Sequence, residues 1–320
     1  MTLLDPPYAL AGKRVFVAGH RGMVGAALVR RLARERVTLQ TATRAELDLR
    51  RQAETEAWFE RHRPAVVILA AATVGGILAN DSRPADFLYD NLAIEVNVVE
   101  AARRSGVERL VLLGSSCIYP REAAQPLTEP SMLTGPLEPT NQWYAVAKIA
   151  GIKLGQAYRR QHGLDAISAM PTNLYGPGDN FDLASSHVVP ALLRKLHEAK
   201  RTGRREVEVW GSGRPRREFL HVDDCADAVV HLLQHYAGEE HVNIGCGEDL
   251  SIAGLARLIA KVVGYEGDFR FDTTKPDGTP RKLLDVGRLT ALGWTPSIPL
   301  EEGLAQTYRW YLEATDRPRP

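Results

Sequence analysis

A short apolar strand that runs straight into three evenly spaced glycines leaves this chain few folds to choose from. Lys13-Arg-Val-Phe-Val-Ala18 reads as a buried strand, and Gly19-His-Arg-Gly22-Met-Val-Gly25 follows at once. Residues 26–35 then read as a helix. In such a strand–turn–helix one glycine makes the tight turn. Another lets the backbone approach a pyrophosphate, and the third lets helix pack on strand. Glycine turns after strands are common, so it is the flanking strand and helix that turn the spacing into an expected dinucleotide site. The expected fold class is α/β: a Rossmann-like doubly wound parallel sheet with a smaller C-terminal substrate domain. At 320 residues the chain is long enough for both.

The second strand, residues 37–41, bears on which dinucleotide. NAD sites place an acid about twenty residues past the glycines, on the ribose 2′-hydroxyl. Here the strand runs out as Thr41-Ala-Thr-Arg44, with no acid at its end. Arg44 and Arg21 suit a 2′-phosphate instead, so NADP(H) is the expected cofactor. The competing reading is a solvated arginine at a helix start. Asp48 stands where a carboxylate would accept from the adenine amino group. Residues 65–72 are the next buried strand, and their small tail leaves room for a cofactor backbone. Thr73-Val-Gly-Gly-Ile77 reads as a mobile loop over the nicotinamide end. A long helix, about 85–104, carries Ile94, Val98 and Val99 on one side. That stripe is either core or, with the helix of Tyr144, a dimer face.

The apolar run 110–113 reads as a parallel strand whose carboxyl end opens into the ligand crevice. Gly114, Ser115, Ser116 and Cys117 would sit there. Downstream, Tyr144-Ala-Val-Ala-Lys148 puts tyrosine and lysine on one helix face. A serine facing that pair can polarise a carbonyl while the tyrosine passes a proton. Cys117 is a second possible acid/base, more than carbonyl reduction needs. Pro171-Thr-Asn-Leu-Tyr-Gly-Pro177 leaves the next strand and faces the same crevice. His187 opens a helix as a possible acid, or as a structural histidine. Trp210 and the arginines of the stretch 211–224 suit a base or sugar and a diphosphate, or form a basic solvated turn. His241-Val-Asn-Ile-Gly245 reads as a strand returning to the main sheet, and Cys225 as a small buried hydrophobe.

Lys plus Arg number 40 against 39 Asp plus Glu, a net charge of +1, so no nucleic-acid partner is expected. Cys117, Cys225 and Cys246 stand alone with no Cys-x-x-Cys spacing, which argues against a disulfide framework or a metal site. Residues 1–10 carry Asp5, Pro6 and Pro7 and do not read as a signal peptide. No run is long enough to span a membrane, so a cytoplasmic protein is expected. The tail 317–320 is expected to fray.

The glycine spacing, Tyr144-x-x-x-Lys148 and the strand-end serine resemble the extended short-chain dehydrogenase/reductases. The longer motifs narrow the resemblance. Gly19-His-Arg-Gly-Met-Val-Gly25, Gly114-Ser-Ser-Cys-Ile-Tyr-Pro120, Pro171–Pro177, Trp210-Gly-Ser-Gly213 and Lys275-Pro-Asp-Gly-Thr-Pro-Arg-Lys-Leu-Leu-Asp285 are similar to the GDP-L-fucose synthase family. The resemblance implies epimerisation of GDP-4-keto-6-deoxy-D-mannose at C3 and C5, then reduction of the C4 ketone with NADPH, in a dimer.

Residue by residue it implies Cys117 as base and His187 as acid, with Ser115, Tyr144 and Lys148 at the ketone. Lys195, Trp210, Arg217 and Asp277 would grip the GDP part. Cofactor contacts would add His20, Met23, Val24, Ala71, Leu113 and Ser116, then Pro171, Thr172, Asn173, Leu174 and His187. The implied division is 1–174 with 218–247 for NADP and 175–217 with 248–320 for the nucleotide sugar. A 4,6-dehydratase would carry Thr-Asp-Glu in place of Ser115-Ser116-Cys117. A 4-epimerase needs no Cys/His pair and ends its second strand with an acid. A non-catalytic NADPH-binding regulator typically loses the tyrosine or the lysine, and both stand here.

Overall fold

The computed structural model describes residues 3–183, 185–275 and 277–316; the tail expected to fray lies outside the described residues. The first half alternates strand and helix: β1 (Arg14–Ala18), α1 (Met23–Leu32), β2 (Thr38–Gln40), α2 (Gln52–His62), β3 (Val66–Leu69), α3 (Ile77–Ser82), α4 (Pro84–Ser105), β4 (Arg109–Leu113), α5 (Gln142–His162) and β5 (Asp165–Pro171). Then come β6 (Asn173–Tyr175), α6 (Val188–Thr202), β7 (Glu206–Trp210), β8 (Arg216–Arg217), β9 (Phe219–His221), α7 (Val222–His235) and β10 (Val242–Ile244). The chain closes with β11 (Leu250–Ser251), α8 (Ile252–Val263), β12 (Asp268–Asp272), β13 (Arg281–Lys282), α9 (Gly287–Ala291) and α10 (Leu300–Asp316).

Six strands form the main sheet in the order β10-β5-β4-β3-β1-β2, every neighbour parallel. A parallel sheet is covered on both faces, which is why β3 and β4 are buried along their whole length. α1 and α7 cover one face through Ala27, Leu28, Leu32, Val229 and Leu233. On the other face Phe59, Ile94, Val98 and Val99 pack from α2 and α4. The stripe on α4 is therefore core, and Cys225 is fully buried as expected. β10 returns to the sheet edge beside β5, where the sequence pointed.

A second core gathers α6, α8 and α10 over β7, with Leu192, Leu196, Val209, Ile259 and Leu304 fully or nearly buried. β7 pairs with β12, and β8 lies between β11 and β13.

One boundary and one element differ from expectation for a physical reason. α1 begins at Met23 rather than 26, because Gly22 is its N-cap and Gly25 lies in its first turn. α2 was not expected at all: it buries Thr55 and Phe59 alone, too narrow a stripe to read as a helix. Among the described residues no helix is long and apolar enough to cross a membrane, and no cluster of side chains is arranged to hold a metal.

Candidate active site

The chain order reverses between β1 and β3, and in open α/β sheets that switch point is where a crevice opens for ligand. Gly19 follows β1 with φ +87°, and a Cβ there would lie 2.7 Å from the Ala71 nitrogen beyond β3. A Cβ on Gly25 would lie 2.1 Å from the Gly19 carbonyl oxygen. Both positions admit no side chain. α1 has no side-chain cap, so its first N–H groups face the crevice without an internal acceptor. His20, in the turn, has a buried Nδ1 with no partner. Uncapped helix start, close-set glycines and orphaned ring nitrogen together fit a dinucleotide pyrophosphate. Gly114, beyond β4, is required by Met170: a Cβ would stand 2.2 Å from its sulfur.

Arg21 and Arg44 are both exposed at the outer end of this crevice. The nearby acid Glu46 is occupied, since its Oε2 accepts from the Thr43 N–H at 2.7 Å. Asp48 is held by Arg50, whose Nη2 donates at 2.6 Å, and the guanidinium keeps its pKa down at about 2. Arg50 also donates to Asp90 at 3.1 Å. The loop after β3 is less free than its sequence suggested. Asn91 accepts from the Thr73 N–H at 2.9 Å and donates back to the Thr73 carbonyl at 3.0 Å, while the Thr73 hydroxyl donates to Asp90.

Ser115 caps the short turn Ser116–Ile118, its Oγ accepting from the Cys117 N–H at 3.4 Å. Cys117 is buried, and burial pushes its thiol above the ordinary value of 9.0 although Lys282 and Lys148 pull it down. Tyr144 and Lys148 share one face of α5, with the ammonium 5.7 Å from the ring centre. Burial lifts the Tyr144 pKa to about 12, and Lys148 only partly offsets it. Lys148 donates to Glu95 of α4 at 2.9 Å. Sequence reasoning missed Glu95.

His187 is the N-cap of α6 and stays exposed to solvent at its edge, yet crowding by surrounding protein and the charge of Lys282 hold its pKa below 6.5. Lys282 on β13 thus acts on Cys117 and on His187, the second residue missed from sequence. Its motif was noticed, but nothing in the spacing tied it to a cysteine far earlier in the chain.

At the far end Trp210 is 49 % exposed, with the ammoniums of Lys195 and Lys275 over its ring at 5.3 and 5.4 Å. Lys275 was not singled out from sequence. Asp277 accepts from the Ser212 N–H and hydroxyl, both at 2.7 Å, and so fastens the turn after Trp210. Arg216 pairs with Asp249, leaving the half-buried Arg217 as the inward member of the pair. Beyond β5, Thr172 N–H donates to the Ile244 carbonyl and Asn173 Nδ2 to the Glu218 carbonyl, so Pro171, Thr172, Asn173 and Leu174 are fixed against β10 and β9. The glycines, Ala71, Leu113 and the 114–117 turn lie at the strand ends, and Met23 and Val24 open α1.

Residues 15–245 match the model of the NAD dependent epimerase/dehydratase family. A GDP-L-fucose synthase of Sinorhizobium fredii is 60% identical over 307 residues, 96% of this chain and 98% of that protein. The solved GDP-L-fucose synthetase of Naegleria fowleri bound to NADP superposes with a TM-score of 0.90 at 28% identity, covering 99% of this chain and 100% of that one. A GDP-mannoheptose C4 reductase from Campylobacter jejuni with NADP bound has a TM-score of 0.86 at 35% identity, covering 94% and 98%. The chain belongs to the NAD dependent epimerase/dehydratase family, in the group of the GDP-L-fucose synthases.

Proposed function

We propose that the protein converts GDP-4-keto-6-deoxy-D-mannose into GDP-L-fucose, epimerising C3 and C5 and then reducing the C4 ketone. The observation that carries this is the meeting of two acid/base sets at one place. The Tyr144–Lys148 pair suffices for ketone reduction, yet the turn that carries Cys117 packs on the helix of that pair, and Lys282 acts on both Cys117 and His187. NADPH, when bound, supplies the hydride for C4. The glycine turn and the start of α1 would hold its pyrophosphate, Arg21 and Arg44 its 2′-phosphate, Asp48 its adenine and Lys148 its nicotinamide ribose.

Protons beside a ketone become acidic when the developing enolate oxygen is hydrogen-bonded, and the Ser115 and Tyr144 hydroxyls supply those bonds. Cys117 removes the proton from one ring face and His187 returns one from the other. Reduction then needs a proton on O4, which Tyr144 donates. Burial keeps that phenol protonated far above neutrality, so the donor is always loaded.

Cofactor choice follows from the exposed Arg44 and Arg21 beyond a strand that ends without an acid, the nearby Glu46 and Asp48 being engaged by Thr43 and Arg50. NADPH is expected to exceed NADH in kcat/KM by orders of magnitude, on the scale of one or two charge-assisted pairs. Equal kcat/KM for the two contradicts the assignment. Arg217 and the Lys195–Trp210 pair serve the GDP part, whose diphosphate is remote from the reacting carbons, with Asp277 bracing the turn after Trp210. Arg217→Ala is therefore expected to raise KM sharply and to lower kcat less. An unchanged KM assigns the arginine to the solvated turn instead.

The proposal gives residues 1–174 and 218–247 to the cofactor and 175–217 and 248–320 to the nucleotide sugar. The separate cores beside the main sheet and under α6, α8 and α10 support that division. α4 and α5 pack together and leave Tyr89, Val96, Trp143 and Val146 exposed, which supports a homodimer through these helices. Three free thiols support a reducing compartment, the cytoplasm. Incubation with the keto-sugar and NADPH is expected to yield GDP-L-fucose with loss of nicotinamide absorbance; unconsumed NADPH contradicts the function.

A further inference from the structure

Glu95 sits inside the buried stripe of α4, between Ile94 and Val98, where every neighbouring turn is apolar or amide. A carboxylate in such a place is strongly destabilising unless an opposite charge meets it. The charge that meets it is Lys148: the two side chains are 4 % and 3 % exposed and bond at 2.9 Å. The room comes from Gly151 on the facing helix, since a Cβ there would stand 2.3 Å from Glu95 Oε2. That oxygen is buried with no hydrogen-bond partner. The carboxylate thus serves no wider polar network among the described residues; it serves the lysine.

We infer that Glu95 is a positioning residue for the reduction step, fixing the Lys148 ammonium and balancing its charge beside the proton donor Tyr144. The charged and titratable groups that face this pair are Glu95 from α4, Cys117 from the turn after β4, and Tyr144 and Lys148 themselves on α5. Glu95 and Lys148 act on the phenol in opposite senses, the carboxylate raising its pKa and the ammonium lowering it. Glu95 also raises Lys148 above its ordinary value against the pull of burial. Take the carboxylate away and a buried cation is left without a counter-charge. Lys148 then gives up its proton more readily, and Tyr144 does so as long as Lys148 stays charged. Either loss disables reduction at high pH.

The inference rests on the epimerase-reductase reading, and its test separates the two. Glu95→Gln keeps the shape and an acceptor oxygen for Lys148 while removing the charge. In the cofactor-free protein, tyrosinate absorbance is measured against pH, and the contribution of Tyr144 is isolated by subtracting the matching Tyr144→Phe protein. The Tyr144 ionisation is expected to move by about one pH unit or more in Glu95→Gln, downward while Lys148 keeps its charge and upward once Lys148 has lost it. The alkaline limb of kcat/KM for reduction is expected to move down by a similar amount, and Glu95→Asp, which keeps the charge, to restore much of it. A merely structural role would change stability and leave both titrations in place. That result overturns the inference. Should Glu95→Gln fail to fold, Gly151→Ala displaces the carboxylate from its seat and is expected to shift the same two curves. If the wild type does not oxidise NADPH with the keto-sugar, the functional reading fails, and the tyrosine titration alone still decides the role of Glu95.

Discussion

Tyr144→Phe is expected to lower NADPH-dependent reduction by about 10²–10⁴-fold, the usual cost of a lost general acid. The phenol is the group placed beside Lys148 to protonate O4, and its pKa of about 12 keeps the proton available throughout the working range. Phenylalanine preserves the ring and its edge contact with Phe87. Cys117, His187 and Lys282 remain in place, and Ser115 still donates to the enolate oxygen. Epimerisation is therefore expected to fall much less than reduction. In deuterated water the variant should accumulate keto-sugar labelled at C3 and C5 without matching NADPH oxidation. If label and NADPH consumption fall by the same large factor, Tyr144 is needed for enolisation too and the division of roles is wrong.

Cys117→Ser has the opposite signature. It replaces a thiol by a hydroxyl that is a far weaker acid, so its conjugate base is scarcely populated. Deuterium entry at C3 and C5 is expected to fall by about 10²-fold or more, and His187→Gln to slow it as well by removing the opposing acid. Full exchange in Cys117→Ser would mean that another residue is the base.

The pH dependence follows from the direction of the two shifts. Catalysis needs thiolate and imidazolium together, while burial favours the neutral forms of both: Cys117 lies above 9.0 and His187 below 6.5. Between those limits the thiolate fraction rises with pH as fast as the imidazolium fraction falls. Wild-type exchange is thus expected to be level between the His187 pKa, below 6.5, and the Cys117 pKa, above 9.0, and to decline outside those limits. A steep rise through neutrality would point to a base whose partner acid does not titrate there.

The parts of this site that could be read from sequence are those whose chemistry is local. Gly19 and Gly25 announce themselves because no other residue fits their turn, and Tyr144 and Lys148 because helical spacing alone puts them on one face. The buried strands appear as apolar runs because both faces are covered. Glu95 and Lys282 stayed hidden for the converse reason. Glu95 is explained by Lys148 on a different helix, and Lys282 reaches Cys117 from β13, late in the chain. Neither pairing leaves a trace in spacing. The loop at Thr73 looked mobile from its two glycines, but Asn91 holds it through both backbone atoms of one residue. Trp210 was legible as an aromatic beside arginines, and Lys195 through the resemblance, whereas Lys275, also over the ring, comes from the loop after β12.

The most direct test adds GDP-4-keto-6-deoxy-D-mannose to the wild-type protein in deuterated water, first without NADPH and then with it. A shared active site predicts deuterium at C3 and C5 before any cofactor is present. It then predicts one NADPH oxidised for each labelled GDP-L-fucose formed. The solved GDP-mannoheptose C4 reductase, which superposes with a TM-score of 0.86, marks the alternative of ketone reduction on this fold. NADPH oxidation that yields a reduced sugar unlabelled at C3 and C5 would make this chain a plain ketone reductase and contradict the account.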